Sequence, residues 1–508
     1  MDTTYAIGQR LMVGFPGTEI DPEFEALVRE FKIGNVILFR RNVENKEQLT
    51  KLCSELRELI LRETGAEPLI AIDQEGGVVT RLSDDMVNTP GAMALAAAGG
   101  DSAHIAGRIT AKELREVGIN FNLAPVLDVN SNADNPVIGV RSFGDTPERA
   151  SSLALEFMHG TLEEGVLACG KHFPGHGDTA VDSHIGLPLV EKSREELEAC
   201  ELLPFRRAIS AGIPAIMTSH VLFPALESEK VPATMSRKIL TGLLRNELGF
   251  NGLIISDCME MQAIATYYGT VNGVDAALAA GADMACISHT ASFAREAAQR
   301  LRQELESGIL NADEFAASVA RVEQIKRRLS EIHPTDSVSY DADVLARELI
   351  ERSFVRIGAS LPALGEKPFF TGCPPMRASL VSSRVRATPA FPDYMAGKLG
   401  GTELVTSEDP DDEEISQAVA AAGDCACIVL GTCNAHLRPG QLELMRRLGE
   451  LGKPMIVVAL RNPYDLRYLP EHACGIAAWE YTSRSLETLI AFLSGTKNFS
   501  GKMPLKNF

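Results

Sequence analysis

No stretch of this sequence approaches the ~18 consecutive apolar residues that a membrane-crossing helix needs. The opening Met1-Asp2-Thr3-Thr4-Tyr5 also lacks a basic segment followed by an apolar one, which leads us to expect a cytoplasmic protein with no membrane partner. Positive charge is scarce: 49 Lys and Arg stand against 68 Asp and Glu, a formal net charge of −19. Neutralising phosphates takes clustered cations, so the balance argues against a nucleic-acid partner. Ten cysteines are present, yet none pairs with another at C-x-x-C spacing. That argues against a zinc knuckle or dithiol redox site and predicts reduced packing residues, Cys258 among them. No G-x-G-x-x-G turn follows a strand-like run, and the Gly76-Gly77 pair has the wrong spacing for a dinucleotide site.

What the chain has in quantity is alternation. With 508 residues, 45% hydrophobic and 23% charged, it exceeds one ordinary core and should divide into two or more globular domains. Short β-rich apolar runs at 35–39, 69–73, 121–126, 168–172, 215–220, 253–257 and 283–287 alternate with amphipathic helical patterns at 45–62, 102–117, 147–164, 193–210 and 236–247. Asp73, His172, His220 and Asp257 each fall at the carboxyl end of a separate run. In a β/α barrel those ends converge on one mouth, where catalytic groups gather. The pattern predicts a (β/α)8 TIM-type barrel over 1–332, closing with helices at 291–306 and 312–332. A polar, Pro-containing linker follows at 333–342, then a smaller layered α/β domain, an αβα sandwich, over 343–508. Within it 426–430 and 455–460 read as strands, 440–450 as a helix, and the acidic run 407–414 as a solvated loop or helix start.

The densest chemistry is Lys171-His172-Phe173-Pro174-Gly175-His176-Gly177-Asp178, running on to Asp182-Ser183-His184. Titratable groups crowded between Pro and Gly directly after an apolar run are costly unless something uses or pairs them. Four motifs in order then resemble glycoside hydrolase family 3, and within it the N-acetyl-β-hexosaminidase branch. They are Asp73-Gln74-Glu75-Gly76-Gly77 with Arg81, Arg141-Ser142-Phe143-Gly144, the loop from Lys171 to His184, and Ser256-Asp257 with Met261. Leu460-Arg461-Asn462-Pro463-Tyr464-Asp465 and Ser500-Gly501-Lys502-Met503-Pro504-Leu505 are similar to the family's carboxy-terminal segments.

The resemblance implies a retaining exo-β-N-acetylhexosaminidase that releases terminal N-acetyl-β-D-glucosaminyl residues through a glycosyl-enzyme intermediate. It implies Asp257 as nucleophile, His184 as general acid/base and Asp182 as the carboxylate that orients His184. Asp73, Arg81, Arg141, Lys171 and His172 are the implied sugar ligands, and His220 at the next strand end is expected to line the same mouth. No cofactor and no metal are expected. The expected partner is a small carbohydrate, a muropeptide or chitooligosaccharide fragment ending in an N-acetylglucosaminide, met in peptidoglycan recycling or chitooligosaccharide breakdown.

The residues by themselves leave other readings open. Asp257 could cap the helix that follows, His184 could close its loop through a backbone bond, and Arg81 and Arg141 could sit in internal ion pairs. His172, His176, Asp178 and His184 could hold a metal in a barrel hydrolase, although no H-E-x-x-H helix is present. A non-catalytic sugar-binding protein could keep the same fold, and phosphate could replace water as the attacking group.

Overall fold

In a computed structural model of the chain, residues 2–180, 186–331, 340–376, 382, 388–506 and 508 are described. Eight parallel strands close into a barrel in sequence order: β1 (Leu11–Val13), β2 (Asn35–Leu38), β3 (Leu69–Ile72), β4 (Phe121–Asn122), β5 (Leu167–Phe173), β6 (Ala215–Thr218), β7 (Leu253–Cys258) and β8 (Met284–Ile287). Closure is made where Met12 of β1 pairs with Cys286 of β8. Alternation along each strand divides the apolar residues between two cores. Leu69, Ala71, Cys169 and Ile255 fill the barrel, while Ile70, Ile72 and Ile254 pack under the surrounding helices.

The barrel expectation holds, with two local corrections. The runs counted in the sequence omit β1, whose three fully buried residues follow directly on the helix Thr3–Gln9. The pattern read as one helix over 193–210 is two, Arg194–Ala199 and Leu202–Ser210. Pro204 explains the break, since it has no N–H to give the Cys200 carbonyl four residues back and its ring would crowd that oxygen.

The second sheet runs β11-β10-β12-β13-β14-β9, built from β9 (Val355–Gly358), β10 (Pro368–Gly372), β11 (Thr402–Val405), β12 (Cys427–Thr432), β13 (Met455–Ala459) and β14 (Cys474–Ala477). Only β9 is antiparallel to its neighbour. Ile428 and Leu430 face Ile415 and Leu444 on one side, and Cys427 and Val429 face Met395 and Leu489 on the other. That is the expected αβα sandwich. The acidic run opens the helix Asp412–Ala421, where Asp411 accepts from the Glu414 N–H and Glu414 accepts from the Asp411 N–H. Most of the expected linker, 333–339, lies outside the described residues.

The sandwich packs on the loop that follows β4. Val140 N–H donates to Asn462 Oδ1 at 2.9 Å, and Asn130 Nδ2 donates to the Tyr464 hydroxyl at 2.6 Å. Gly139, at φ +46°, is required there because a Cβ would stand 2.3 Å from Asn462 Oδ1. A shared apolar cluster joins Met93, Ala94 and Val140 to Tyr464, Trp479 and Leu505. All ten cysteines are free thiols, and all but Cys200 and Cys258 are buried. Among the described residues no helix is long and apolar enough to cross a membrane.

Candidate active site

Polar residues break the apolar strands at one end of the barrel, and they converge on a cavity of about 890 Å³. Asp73 stands immediately after β3, Lys171 and His172 lie in β5, and Asp257 is the second-last residue of β7. All four border the cavity, as do Arg81 and Arg141. Lys171, with its side chain 1% exposed, puts Nζ 2.7 Å from Asp73 Oδ1 and 2.7 Å from Glu75 Oε1. Arg141 takes the rest of Glu75 as a fork, Nε and one terminal nitrogen each 2.8 Å from a carboxylate oxygen. Burial alone would raise the Glu75 pKa; Arg141 and Lys171 overcome it and hold the carboxyl far below its usual range. Burial likewise opposes the charge on Lys171, and Asp73 and Glu75 outweigh it and shift its pKa upward.

A second buried acid organises the histidines. Asp128 accepts from His172 Nδ1 at 2.7 Å and from the backbone N–H groups of His172 and His176 at 3.2 and 2.7 Å. Against the cost of burial, the His172 ring holds the Asp128 carboxyl below its usual range. An ionised carboxylate only accepts, so Nδ1 of His172 carries a proton, and Nε2 lies 3.5 Å from the Arg141 guanidinium. His176 also borders the cavity; burial, then the neighbouring His172, pushes its pKa down to about 4, so it is neutral near pH 7. Asn135 Nδ2 donates to the His176 carbonyl at 2.8 Å while its Oδ1 accepts from Val137 and Ile138, which ties this loop to the one carrying Arg141.

Asp257 does not cap the next helix, Gln262–Ala265, whose capping position is Met261. Its Oδ1 accepts from the Cys258 N–H at 2.6 Å. Arg141 is in the internal ion pair that the sequence left open, and it borders the cavity as well. His220 departs from expectation. It is 1% exposed and does not border the cavity, because Nδ1 faces Thr234 Oγ1 and Nε2 the Cys258 carbonyl, both at 2.9 Å. It thereby fastens the end of β7 beside Asp257. Asp182 and His184 lie outside the described residues.

Sequence reasoning gave no role to Asp128 or Glu75. Asp128 carries the same signal as Asp73 and Asp257, an acid inside an apolar run, Leu127-Asp128-Val129, but it stands beyond the strand-like run read at 121–126. Cys258 was expected to pack; it is half-buried and borders the cavity, with burial pushing its thiol up to about 12.

Fold and site together define a class: a two-domain β/α-barrel protein whose cleft opens at the carboxyl ends of the strands and carries a buried carboxylate–guanidinium–ammonium cluster beside a further carboxylate on β7. The chain belongs to glycosyl hydrolase family 3, whose N-terminal domain matches residues 4–325, and the resemblance read from the motifs is borne out. Across 99% of both chains it is 36% identical to the family 3 β-N-acetylglucosaminidase of Paenibacillus sp. str. FPU-7, with a TM-score of 0.91. It is 37% identical over 369 residues to β-hexosaminidase A of Pseudoalteromonas piscicida, a match spanning 65% of this chain and 62% of that protein. With the β-hexosaminidase of Thiobacillus denitrificans it shares 37% identity over 298 residues, 57% of this chain and 81% of the relative.

Proposed function

We propose that this chain is a retaining exo-β-N-acetylhexosaminidase acting on terminal N-acetyl-β-D-glucosaminyl residues. The observation that carries the reading is Asp257, a carboxylate at the end of β7 on the wall of the cavity that also holds Asp73, Lys171 and Arg141. The likeness to a β-N-acetylglucosaminidase over the whole chain supports it. A cavity of about 890 Å³ falls within the ~300–1,000 Å³ typical of small-molecule sites.

Asp257 attacks the anomeric carbon while His184, assigned from its motif, protonates the leaving oxygen. The resulting glycosyl–Asp ester is then opened by a water that gives its proton to His184, and Asp257 leaves as the free carboxylate. Asp182 orients the His184 ring. Asp73 has Lys171 on Oδ1, which leaves Oδ2 for a sugar hydroxyl, while Arg81 and Arg141 supply donors. His172, fixed by Asp128, presents an edge of imidazole to the same cavity. The setting we propose is cytoplasmic breakdown of peptidoglycan fragments or chitooligosaccharides.

Phosphorolysis at this site is the second reading, and one observation favours it. Arg40 and Arg41 border the cavity, and their hydrogen bonds run to backbone carbonyls, those of Arg41 to Phe15 and Ser288 at 3.0 and 2.5 Å. The test is nitrophenol release from an aryl N-acetyl-β-D-glucosaminide with a metal chelator, with and without phosphate, and with the β-glucoside as control. Chelator-insensitive cleavage of only the N-acetyl substrate supports hydrolysis. A sugar 1-phosphate product moves the assignment to phosphorolysis, and no cleavage of either glycoside overturns both.

A further inference from the structure

Three side chains on the β7–β8 wall of the cleft have no part in the chemistry above. The Cys258 thiol, a Glu260 carboxylate oxygen and a His289 ring nitrogen all lie within 4.8 Å of one another, the one group of its kind among the described residues. All three border the cavity that contains Asp257. Two adjacent strand ends hold them. Cys258 ends β7 and Glu260 lies two residues on, while His289 lies two residues beyond β8. Met259 N–H donates to the Cys286 carbonyl at 2.9 Å, binding the two ends together. Glu260 Oε2 accepts from the His289 backbone N–H at 2.6 Å, which draws its carboxylate to the histidine, and the His289 ring packs on Phe39 with centroids 5.2 Å apart.

Thiolate, imidazole and carboxylate together suit a borderline-soft ion far better than magnesium or calcium, which prefer all-oxygen shells. Three protein ligands with a fourth position open is an arrangement zinc adopts readily. We propose that Cys258, Glu260 and His289 form a reversible site for zinc or a similar divalent ion, and that its occupancy obstructs the cleft one residue from Asp257. On binding, the Cys258 S–H bond breaks, its proton passes to solvent and a sulfur–metal bond forms. His289 contributes a ring lone pair and Glu260 a carboxylate oxygen, with no change of oxidation state. The Arg41 guanidinium interacts electrostatically with Cys258 and Glu260. A fixed cation there weakens the hold on a second one, which suits an inhibitory ion rather than a resident one.

Cobalt(II) is the direct probe. Added to the chelator-treated full-length protein, it is expected to give a near-ultraviolet thiolate-to-cobalt charge-transfer band and to be displaced by zinc. Cys258→Ser should abolish the band, and Glu260→Gln and His289→Ala should each weaken cobalt binding by about tenfold or more. Circular dichroism checks that each variant is folded, and the exposed His289 is the substitution that disturbs the strands least. Zinc should also inhibit the aryl glycosidase reaction of the native protein more strongly than that of His289→Ala; this arm rests on the proposed activity, whereas the cobalt spectra do not. Cobalt binding without a thiolate band, or zinc affinity that survives Cys258→Ser and His289→Ala but is lost in Asp257→Asn, would overturn the proposal.

Discussion

Glu75 carries two cations, Arg141 and Lys171, in a buried cluster on the wall of the cavity. Removing one partner from such a cluster strands the others, at a cost of about 3–5 kcal/mol. Glu75→Gln should therefore lower stability by roughly that amount in chemical denaturation at neutral pH. Because the folded pKa of Glu75 is depressed, its contribution is present above the ordinary value of 4.5 and is lost as pH falls below it. The stability gap between native protein and Glu75→Gln should accordingly narrow in acid. Asp257→Asn tests the other side of the cleft: kcat is expected to fall on the order of 10³-fold or more with the melting temperature little changed. Retained turnover in a folded Asp257→Asn would remove it from the role of nucleophile. Asp73, Lys171, His172 and Asp257 were legible because each interrupts an apolar strand. Glu75 and Asp128 act through partners that only the fold brings to them, and His220, placed by the same strand-end logic, is held by Thr234 and the Cys258 carbonyl.

Elements with strong periodicity were legible almost to the residue, as in the helix Lys46–Thr64 against the pattern at 45–62. The strand that escaped, β1, has three residues, too few to show a period, and β4, read over 121–126, is cut to two before Pro125, which has no N–H to give a ladder. The loop after β4 was also opaque, although it delivers Arg141, because its shape is set by the second domain. Gly139→Ala tests that dependence. A methyl group at φ +46°, meeting Asn462 at 2.3 Å, should displace the loop, lower stability by ~1–3 kcal/mol and raise KM more than it lowers kcat, read by thermal melting and steady-state kinetics. An unchanged KM would mean that the loop adjusts without moving Arg141.

Two buried titratable groups at distant points give the whole molecule a distinctive pH response. Lys326 in the last barrel helix donates to Gln9 Oε1 at 2.6 Å and to the Gly34 carbonyl at 2.9 Å, and burial pushes its pKa down from 10.5 to about 7. The unfolded chain binds more protons than the folded one between those values, so stability rises with pH across that window. Glu480, on the sandwich side and packed against Gly77, is pushed up from 4.5 to about 7 by burial. There the folded chain binds more protons, and stability falls as pH climbs from about 4.5 to about 7. The two groups together should leave a shallow minimum of stability near neutrality. Denaturation across the pH range should show the falling limb flattened in Glu480→Gln and the rising limb flattened in Lys326→Met; slopes unchanged in both would mean that neither group titrates as its burial implies.

Beside Glu480 stands Trp479, the single tryptophan of the 508 residues, 1% exposed, its indole N–H donating to the Ser353 carbonyl at 2.7 Å within the cluster shared by both domains. Selective excitation of this one indole therefore illuminates the seam and nothing else. Any parting of the domains, whether driven by substrate or by proton uptake next door, would emerge as a red-shifted, more readily quenched emission, and the protein comes with its own optical gauge of domain contact.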